Sequence, residues 1–276
     1  MTTAIIVQAR WGSTRAPGKV LAPIGGRTAL ALTLARCARV HGVDAVVCAV
    51  ADDSASDAVA EEAARCGAIV TRGSQSDVLA RYAAAARAVR ADVVLRVTSD
   101  CPLIDPALCA DVLAWRAACD ADYACNNAPA GYPHGLDCEA FTADALAWSA
   151  AHADDAATRE HVTPDLRTNV RWIRARIIGP CDGAERLRWT LDWPEDIAFL
   201  QALADHVDVV DSSWESIARA CMDAPTLTAI NASRVDDARL ATLQVAAADQ
   251  TVWPQCFSKS CQVKSSSPVA RRQKNP

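Results

Sequence analysis

The stretch Gln8-Ala9-Arg10-Trp11-Gly12-Ser13-Thr14-Arg15-Ala16-Pro17-Gly18-Lys19 gathers three cations, two glycines and two hydroxyls with no acid among them. That set suits a polyphosphate. Arg forks meet phosphate oxygens bidentately, Lys adds a point charge, and the N–H groups of a glycine-bearing loop complete a cradle. Pro17-Gly18 restricts the backbone just before Lys19, so the charges are held in place. The spacing is neither that of a Walker loop nor that of a dinucleotide fingerprint. The plain alternative is a solvated basic turn. Against it stands the apolar run Ala4–Val7 immediately before the loop, because open α/β sheets bind ligands at the carboxyl ends of their strands.

Two acids end further apolar runs. Asp100 follows Val93–Val97, and Asp192 follows Leu187–Leu191, which reads as a strand. Two strand ends that each deliver a carboxylate suit Mg2+, which keeps one or two protein carboxylates, binds water and bridges nucleotide phosphates. A turn or cap role for Asp100 remains the open alternative. Asp105 before Pro106 has the form of a helix N-cap, and Glu195 and Asp196 fall in the first turn of a helix begun by Pro194. In Tyr132-Pro133-His134-Gly135-Leu136-Asp137-Cys138-Glu139-Ala140-Phe141, Asp137 and Glu139 alternate with apolar residues at strand spacing, which predicts one acidic face for the hydroxyls of a sugar. An edge strand with a solvated acidic face is the competing reading.

The elements that must position these residues follow a βαβ rhythm. Apolar runs at Ala4–Val7, Ala45–Ala51, Ala68–Val70 and Val93–Val97 alternate with helical patterns near Thr28–Val40, Ser54–Cys66 and Asp77–Val89. An α/β fold on a parallel sheet is expected. A helix near Pro106–Cys119 leads to a strand at Asp122–Cys125, and residues 126–140 are loop-rich. Strands at Arg171–Ile178 and Leu187–Leu191, a helix to about Ala204, a cap at Asp211-Ser212-Ser213 and terminal helices to Ala248 complete the expectation.

The chain has 276 residues, half of them apolar, and no window approaches the ~18 uninterrupted apolar residues of a membrane span. With no charged-then-apolar leader, a cytoplasmic location is expected. Twelve cysteines are scattered without any Cys-x-x-Cys, which favours reduced core thiols over a disulfide frame or zinc; Cys256 and Cys261 lack a nearby His. The net charge of −5 hides a division. Residues 251–276 carry five bases and no acid, leaving 23 bases against 33 acids in residues 1–250. An acidic body is a poor partner for nucleic acid. One domain over 1–250 and a disordered basic tail over 251–276 are expected.

The loop spacing Ala-Arg-x-x-Ser-x-Arg-x-Pro-Gly-Lys resembles the nucleotide loop of CMP-sugar-acid synthetases, and the opening as a whole resembles the SpsF-type spore-coat polysaccharide cytidylyltransferases. Four further segments, in order, are similar to that family: Arg72-Gly73-Ser74-Gln75-Ser76-Asp77-Val78-Leu79-Ala80-Arg81-Tyr82, Val97-Thr98-Ser99-Asp100-Cys101-Pro102-Leu103-Ile104-Asp105, the Tyr132 to Phe141 segment, and Arg159-Glu160-His161-Val162-Thr163-Pro164. The run Leu191-Asp192-Trp193-Pro194-Glu195-Asp196 is similar to one that closes many sugar nucleotidyltransferases. The chain departs from the pattern at Trp11, Ala16, Ser99 and His134, where the family usually has Met, Leu, Gly and Asp.

The resemblance implies a three-layer, Rossmann-like nucleotidyltransferase fold (GT-A-like) with a parallel-dominated mixed sheet. It implies a homodimer and Mg2+-dependent transfer of CMP from CTP to an acidic sugar or phosphonate. Ala9, Arg10, Ser13, Arg15 and Lys19 would then hold the triphosphate, and Arg72 and Ser74 the base. Asp100 and Asp192 would hold the metal, with Arg10, Arg15, Lys19 and Asp100 catalytic. Tyr132, Asp137, Glu139, Arg159 and His161 would face the acceptor. The resemblance, not the spacing, supplies cytosine. Two rivals stay open: a glycosyltransferase of similar fold, although Thr98-Ser99-Asp100 lacks its usual Asp-x-Asp, and a non-catalytic nucleotide-binding regulator.

Overall fold

A computed structural model of the chain describes residues 1–13, 15–248 and 255–257. β1 (Thr3–Ala9) passes through the basic loop into a small hairpin, β2 (Pro23–Ile24) and β3 (Arg27–Thr28), and then α1 (Ala29–Cys37). There follow β4 (Ala45–Ala51), α2 (Asp57–Arg65), β5 (Ile69–Gly73), α3 (Val78–Ala88), β6 (Val93–Thr98), α4 (Pro106–Ala118) and β7 (Tyr123–Cys125). Beyond the loop-rich stretch come β8 (Glu139–Thr142), α5 (Ala143–His152), α6 (Ala156–His161), α7 (Pro164–Thr168) and β9 (Arg174–Ile178). The remainder comprises α8 (Pro194–Ala204), α9 (Trp214–Asp223), α10 (Pro225–Thr228), α11 (Asp237–Ala248) and β10 (Gln255–Phe257).

Among the described residues the main sheet runs β10-β9-β7-β8-β6-β1-β4-β5. Only β8 is antiparallel to its neighbours, β6 and β7. Side chains alternate between two cores, as the two-residue period of a strand requires. Ile5, Val7, Val50, Leu95 and Val97 meet α1, α4 and α8 on one face, while Ala4, Ile6, Val47 and Val94 meet α3 and α5 on the other. This is the three-layer, parallel-dominated arrangement expected from the sequence.

Helix starts follow local chemistry. The Asp105 carboxylate accepts from Leu108 N at 2.9 Å, and the Ser213 hydroxyl accepts from Ser216 N. For α3 the cap is Asp77, whose carboxylate accepts from Ala80 N. The sequence expectation fails at Leu187–Leu191, which forms no strand. It makes only an isolated bridge from Arg188 to His134, with Trp189 N donating to His134 O and Leu191 N to Asp100 O. The aromatic and branched residues there are buried by packing, while their backbone bonds go to two loops instead of a ladder. Gln255–Phe257 lies parallel to β9. The rest of the segment expected to be a disordered tail, Cys261 included, lies outside the described residues. Among the described residues no helix is long and apolar enough to cross a membrane.

Parallel pairing brings strand ends together. Gln8 of β1 is in register with Thr98 of β6, so the basic loop and Ser99-Asp100 leave the same edge of the sheet.

Candidate active site

The basic loop is closed on itself before any ligand arrives. Gly18 N donates to Trp11 O at 3.1 Å, and Gly18 adopts φ +70°, the left-handed region in which a Cβ is strained. A Cβ there would also sit 2.7 Å from the Trp11 ring. The Trp11 departure therefore has a packing role: the indole lies over Gly18. Trp11 N donates to the Ser56 hydroxyl at 3.1 Å, tying the loop to the segment after β4, and the Ser13 hydroxyl accepts from Ala16 N.

Asp100 and Asp192 converge, as their positions at the ends of two apolar runs predict. Lys19 Nζ lies 2.8 Å from Asp192 Oδ1 and 3.6 Å from Asp100 Oδ2, so one ammonium bridges both carboxylates. Thr98 Oγ1 donates to Asp100, and Asp100 O accepts from the Thr190 hydroxyl. Asp192 also meets Arg15 at 3.6 Å and Arg188 at 3.2 Å. Burial raises the Asp192 pKa, but the Lys19 charge and hydrogen bond, with Arg15 and Arg188, outweigh it and hold the carboxyl below its ordinary value.

Arg15, Lys19, Thr98, Asp100 and Asp192 line a cleft of about 330 Å3 that also takes in Gln8, Arg10, Ser13, Arg81, Arg96, Glu160 and His161. Arg10 faces Glu160 of α6 at 4.0 Å. His161 thus joins the cleft, and Arg159 lines an adjoining hollow with Arg10 and Glu160, its guanidinium meeting Asp77 at 3.3 Å.

Arg96 was not among the residues expected at the site. The signal was present: a lone charge inside the apolar strand Val93-Val94-Leu95-Arg96-Val97 must have a buried partner or a ligand. The partner is Glu139, fully buried and 2.6 Å from Arg96. Arg167 completes the clamp at 2.7 Å, and the Tyr123 hydroxyl donates to the same carboxylate. Burial raises the Glu139 pKa, yet Arg167, Arg96 and the hydrogen bonds prevail and hold it at about 2. Arg188, likewise unanticipated, grips Asp196 with two bonds of 2.9 Å while touching Asp192. The Asp196 carboxylate also accepts from Asp192 N and Trp193 N, so besides standing in the first turn of α8 it holds the backbone that carries Asp192.

Several expected ligand-facing residues are not free to face one. Glu139 does not share an acidic surface with Asp137; it is internal, and Asp137 instead meets Arg239 at 3.1 Å and His134 at 3.9 Å. Tyr132 is 1% exposed and packs edge-on against Trp214 at 5.5 Å, so direct contact with an acceptor is excluded in this conformation. Arg72 bonds Asp57 at 2.6 Å and the Ala51 and Asp53 carbonyls, and Ser74 accepts from Asp77 N; neither lines the cleft. Burial lowers the pKa of His134, the Asp137 charge only partly offsetting it, so the imidazole is neutral near pH 7 and its Nδ1 accepts from Arg188.

No cluster of three or more His, Cys, Asp or Glu able to hold a metal occurs among the described residues. Two part-exposed carboxylates at one ammonium nevertheless fit a hard cation that completes its shell with water and phosphate oxygens. The fit requires Lys19 to turn from the carboxylates toward phosphate.

Three similarities bear on identity. Spore coat polysaccharide biosynthesis protein SpsF of Bacillus subtilis (strain 168) is 32% identical over 206 residues, 72% of this chain and 84% of that protein. A 3-deoxy-manno-octulosonate cytidylyltransferase of Anaeromyxobacter sp. (strain Fw109-5) is 46% identical over 105 residues, 37% of this chain and 42% of that protein. The structure of a cytidylyltransferase from Leptospira borgpetersenii serovar Hardjo-bovis (strain JB197) superposes with a TM-score of 0.79 at 27% identity, covering 83% of this chain and 97% of that one. Residues 4–203 match the cytidylyltransferase family, a span that includes every residue lining the cleft, and this chain belongs to that family.

Proposed function

We propose that this protein transfers the CMP group of CTP to an acidic sugar, or to a related acid or phosphonate, and releases pyrophosphate. The observation that carries the proposal is the Lys19 ammonium held between Asp100 and Asp192 at the mouth of the basic loop. Family membership supports the nucleotide; the acidic acceptor is supported by the similarity to SpsF and to the octulosonate enzyme over part of their lengths.

In this mechanism an acceptor oxygen attacks the α-phosphorus in line, a new P–O bond forms, and the bond to the pyrophosphate oxygen breaks with its electron pair leaving on pyrophosphate. Arg15 and Lys19 neutralise the charge that gathers on the leaving group, and Arg10 and Ser13 orient the phosphates with the loop N–H groups. Asp100 and Asp192 would hold Mg2+, which supplies Lewis-acid neutralisation of phosphate oxygens. Asp192 keeps its negative charge because Lys19, Arg15 and Arg188 surround it.

The test is pyrophosphate release with CTP, ATP, GTP or UTP against a panel of 3-deoxy-ulosonic acids, nonulosonic acids and phosphonates, with and without Mg2+. Release with CTP and at least one acidic acceptor is expected. Release with another nucleotide only, or transfer from a preformed nucleotide sugar without pyrophosphate, overturns the proposal.

A further inference from the structure

The family match ends at residue 203, yet Arg234, well beyond it, reaches back to Trp193, the neighbour of the cleft residue Asp192. Arg234 lies between α10 and α11. Its guanidinium carbon sits 3.9 Å from the centre of the Trp193 ring, and its nitrogen meets Glu195 at 2.8 Å. On the same ring, at 4.9 Å, stands the guanidinium carbon of Arg15 from the basic loop. Trp193 directly follows Asp192, and its N–H donates to the buried Asp196 carboxylate. The indole is thus anchored at its backbone and carries a cation from each side of the chain.

Arg15 needs such an anchor. About half of its side chain is in solvent, and its guanidinium approaches Asp192 no nearer than 3.6 Å. An exposed Arg samples many rotamers, and each one excluded before binding lowers the cost of ordering it on a phosphate. An aromatic face holds a guanidinium without consuming its N–H donors, leaving the fork free for oxygens. Arg234 packs on the same ring while Glu195 neutralises it, so the later segment braces the platform without competing for anion.

We propose that Trp193, braced by Arg234, is a positioning residue that pre-orders Arg15 for the triphosphate, so that a segment beyond the family domain completes the phosphate site. The proposal rests on the reading of the cleft as a nucleotide triphosphate site.

The test is calorimetric binding of CTP and of inorganic pyrophosphate, each with Mg2+, to the full chain. Trp193→Leu is expected to weaken both about two- to five-fold, the range of one exposed cation–π contact. Trp193→Phe restores wild-type binding, and Arg234→Ala gives a smaller loss in the same direction. In an Arg15→Ala background Trp193→Leu adds no further loss, because the platform then has nothing to hold. Equal losses in the presence and absence of Arg15 overturn the platform while leaving the nucleotide reading intact. Wild-type protein that binds neither ligand overturns the nucleotide reading and the platform with it. Should Trp193→Leu fail to fold, Arg234→Ala in the two backgrounds decides the matter by the same criterion.

Discussion

The basic loop after β1 and the segment 126–140 each pair their charges with partners on other elements, and they do so in opposite ways. In the loop, Arg15 keeps about half its side chain in solvent and Lys19 spans two carboxylates that both reach the cleft. In the second region Glu139 has no exposure and is saturated by Arg96, Arg167 and Tyr123, while Asp137 is engaged by Arg239. A charge partner that a phosphate or cation can displace marks a binding group; a partner sealed in the interior marks scaffold. In both regions a charged residue meets an opposite charge from another element, so exposure and exchangeability of the partner separate the two.

The largest effect should come from breaking the sealed side. Glu139→Ala leaves Arg96 and Arg167 facing an uncompensated cavity, and removing one partner of a buried ion pair costs about 3–5 kcal/mol. Urea unfolding should show that loss; a change below about 1 kcal/mol would mean that water or a rearranged partner replaces the carboxylate. The same group predicts acid sensitivity. Its pKa is about 2 in the fold against an ordinary 4.5, so the unfolded chain takes up the proton first as pH falls. The contribution is complete above pH 4.5 and is lost between 4.5 and 2, about 3 kcal/mol at 1.36 kcal/mol per unit. Glu139→Gln should flatten that part of the stability–pH profile.

Next in size is the exchangeable side, where activity and not folding should respond. Asp192→Asn keeps the shape and removes one charge, and turnover should fall about 10²-fold or more, as for loss of a group that stabilises transition-state charge. Asp100→Asn should act likewise, each with a raised Mg2+ requirement. The double variant should lose much less than the two single losses combined, because groups acting on one cation are not additive. Independent losses with unchanged Mg2+ dependence would refute the shared cation. Lys19→Ala should weaken CTP binding by about 1.5–3 kcal/mol, the worth of a charge-assisted bond. It also frees Asp100 and Asp192 from the ammonium, so Mg2+ binding without nucleotide should tighten. Weaker Mg2+ binding in Lys19→Ala would show that Lys19 orders the carboxylates instead of competing for them.

Sequence patterns revealed the exchangeable side well, since the loop from Arg10 to Lys19 is contiguous and Asp100 ends a clear apolar strand. Asp192 lies beside Asp100 although the run before it is not a strand, because Leu191 N bonds to Asp100 O and brings the two acids together without a ladder. The sealed side was illegible for a physical reason. Glu139 meets Arg96 from 43 positions earlier and Arg167 from 28 positions later, and strand spacing cannot distinguish an acid facing solvent from one facing a cation on another element. Arg72 misled in the opposite way. It stands at the right place in its motif, but Asp57 and two carbonyls take three of its five N–H donors and turn it away from the cleft.

The smallest effect should come from Asp137, which lies between the two classes. It is part-exposed, like the cleft acids, yet bonded by Arg239 of α11, whose guanidinium also donates to Tyr132 O at 3.1 Å. Arg239→Ala removes one mostly buried ion pair and one loop contact, so stability should fall by about 1 kcal/mol. If Asp137 serves the acceptor, Arg239→Ala should raise KM for the acid identified by the pyrophosphate screen a few-fold and leave KM for CTP alone, because the loop held by Arg239 is remote in the chain from the phosphate-binding residues. Equal changes in both KM values would mean that α11 steadies the whole edge of the sheet. No change in either, with normal stability, would move Asp137 into the scaffold class beside Glu139 and leave His161 and Arg159 as the acceptor-side groups.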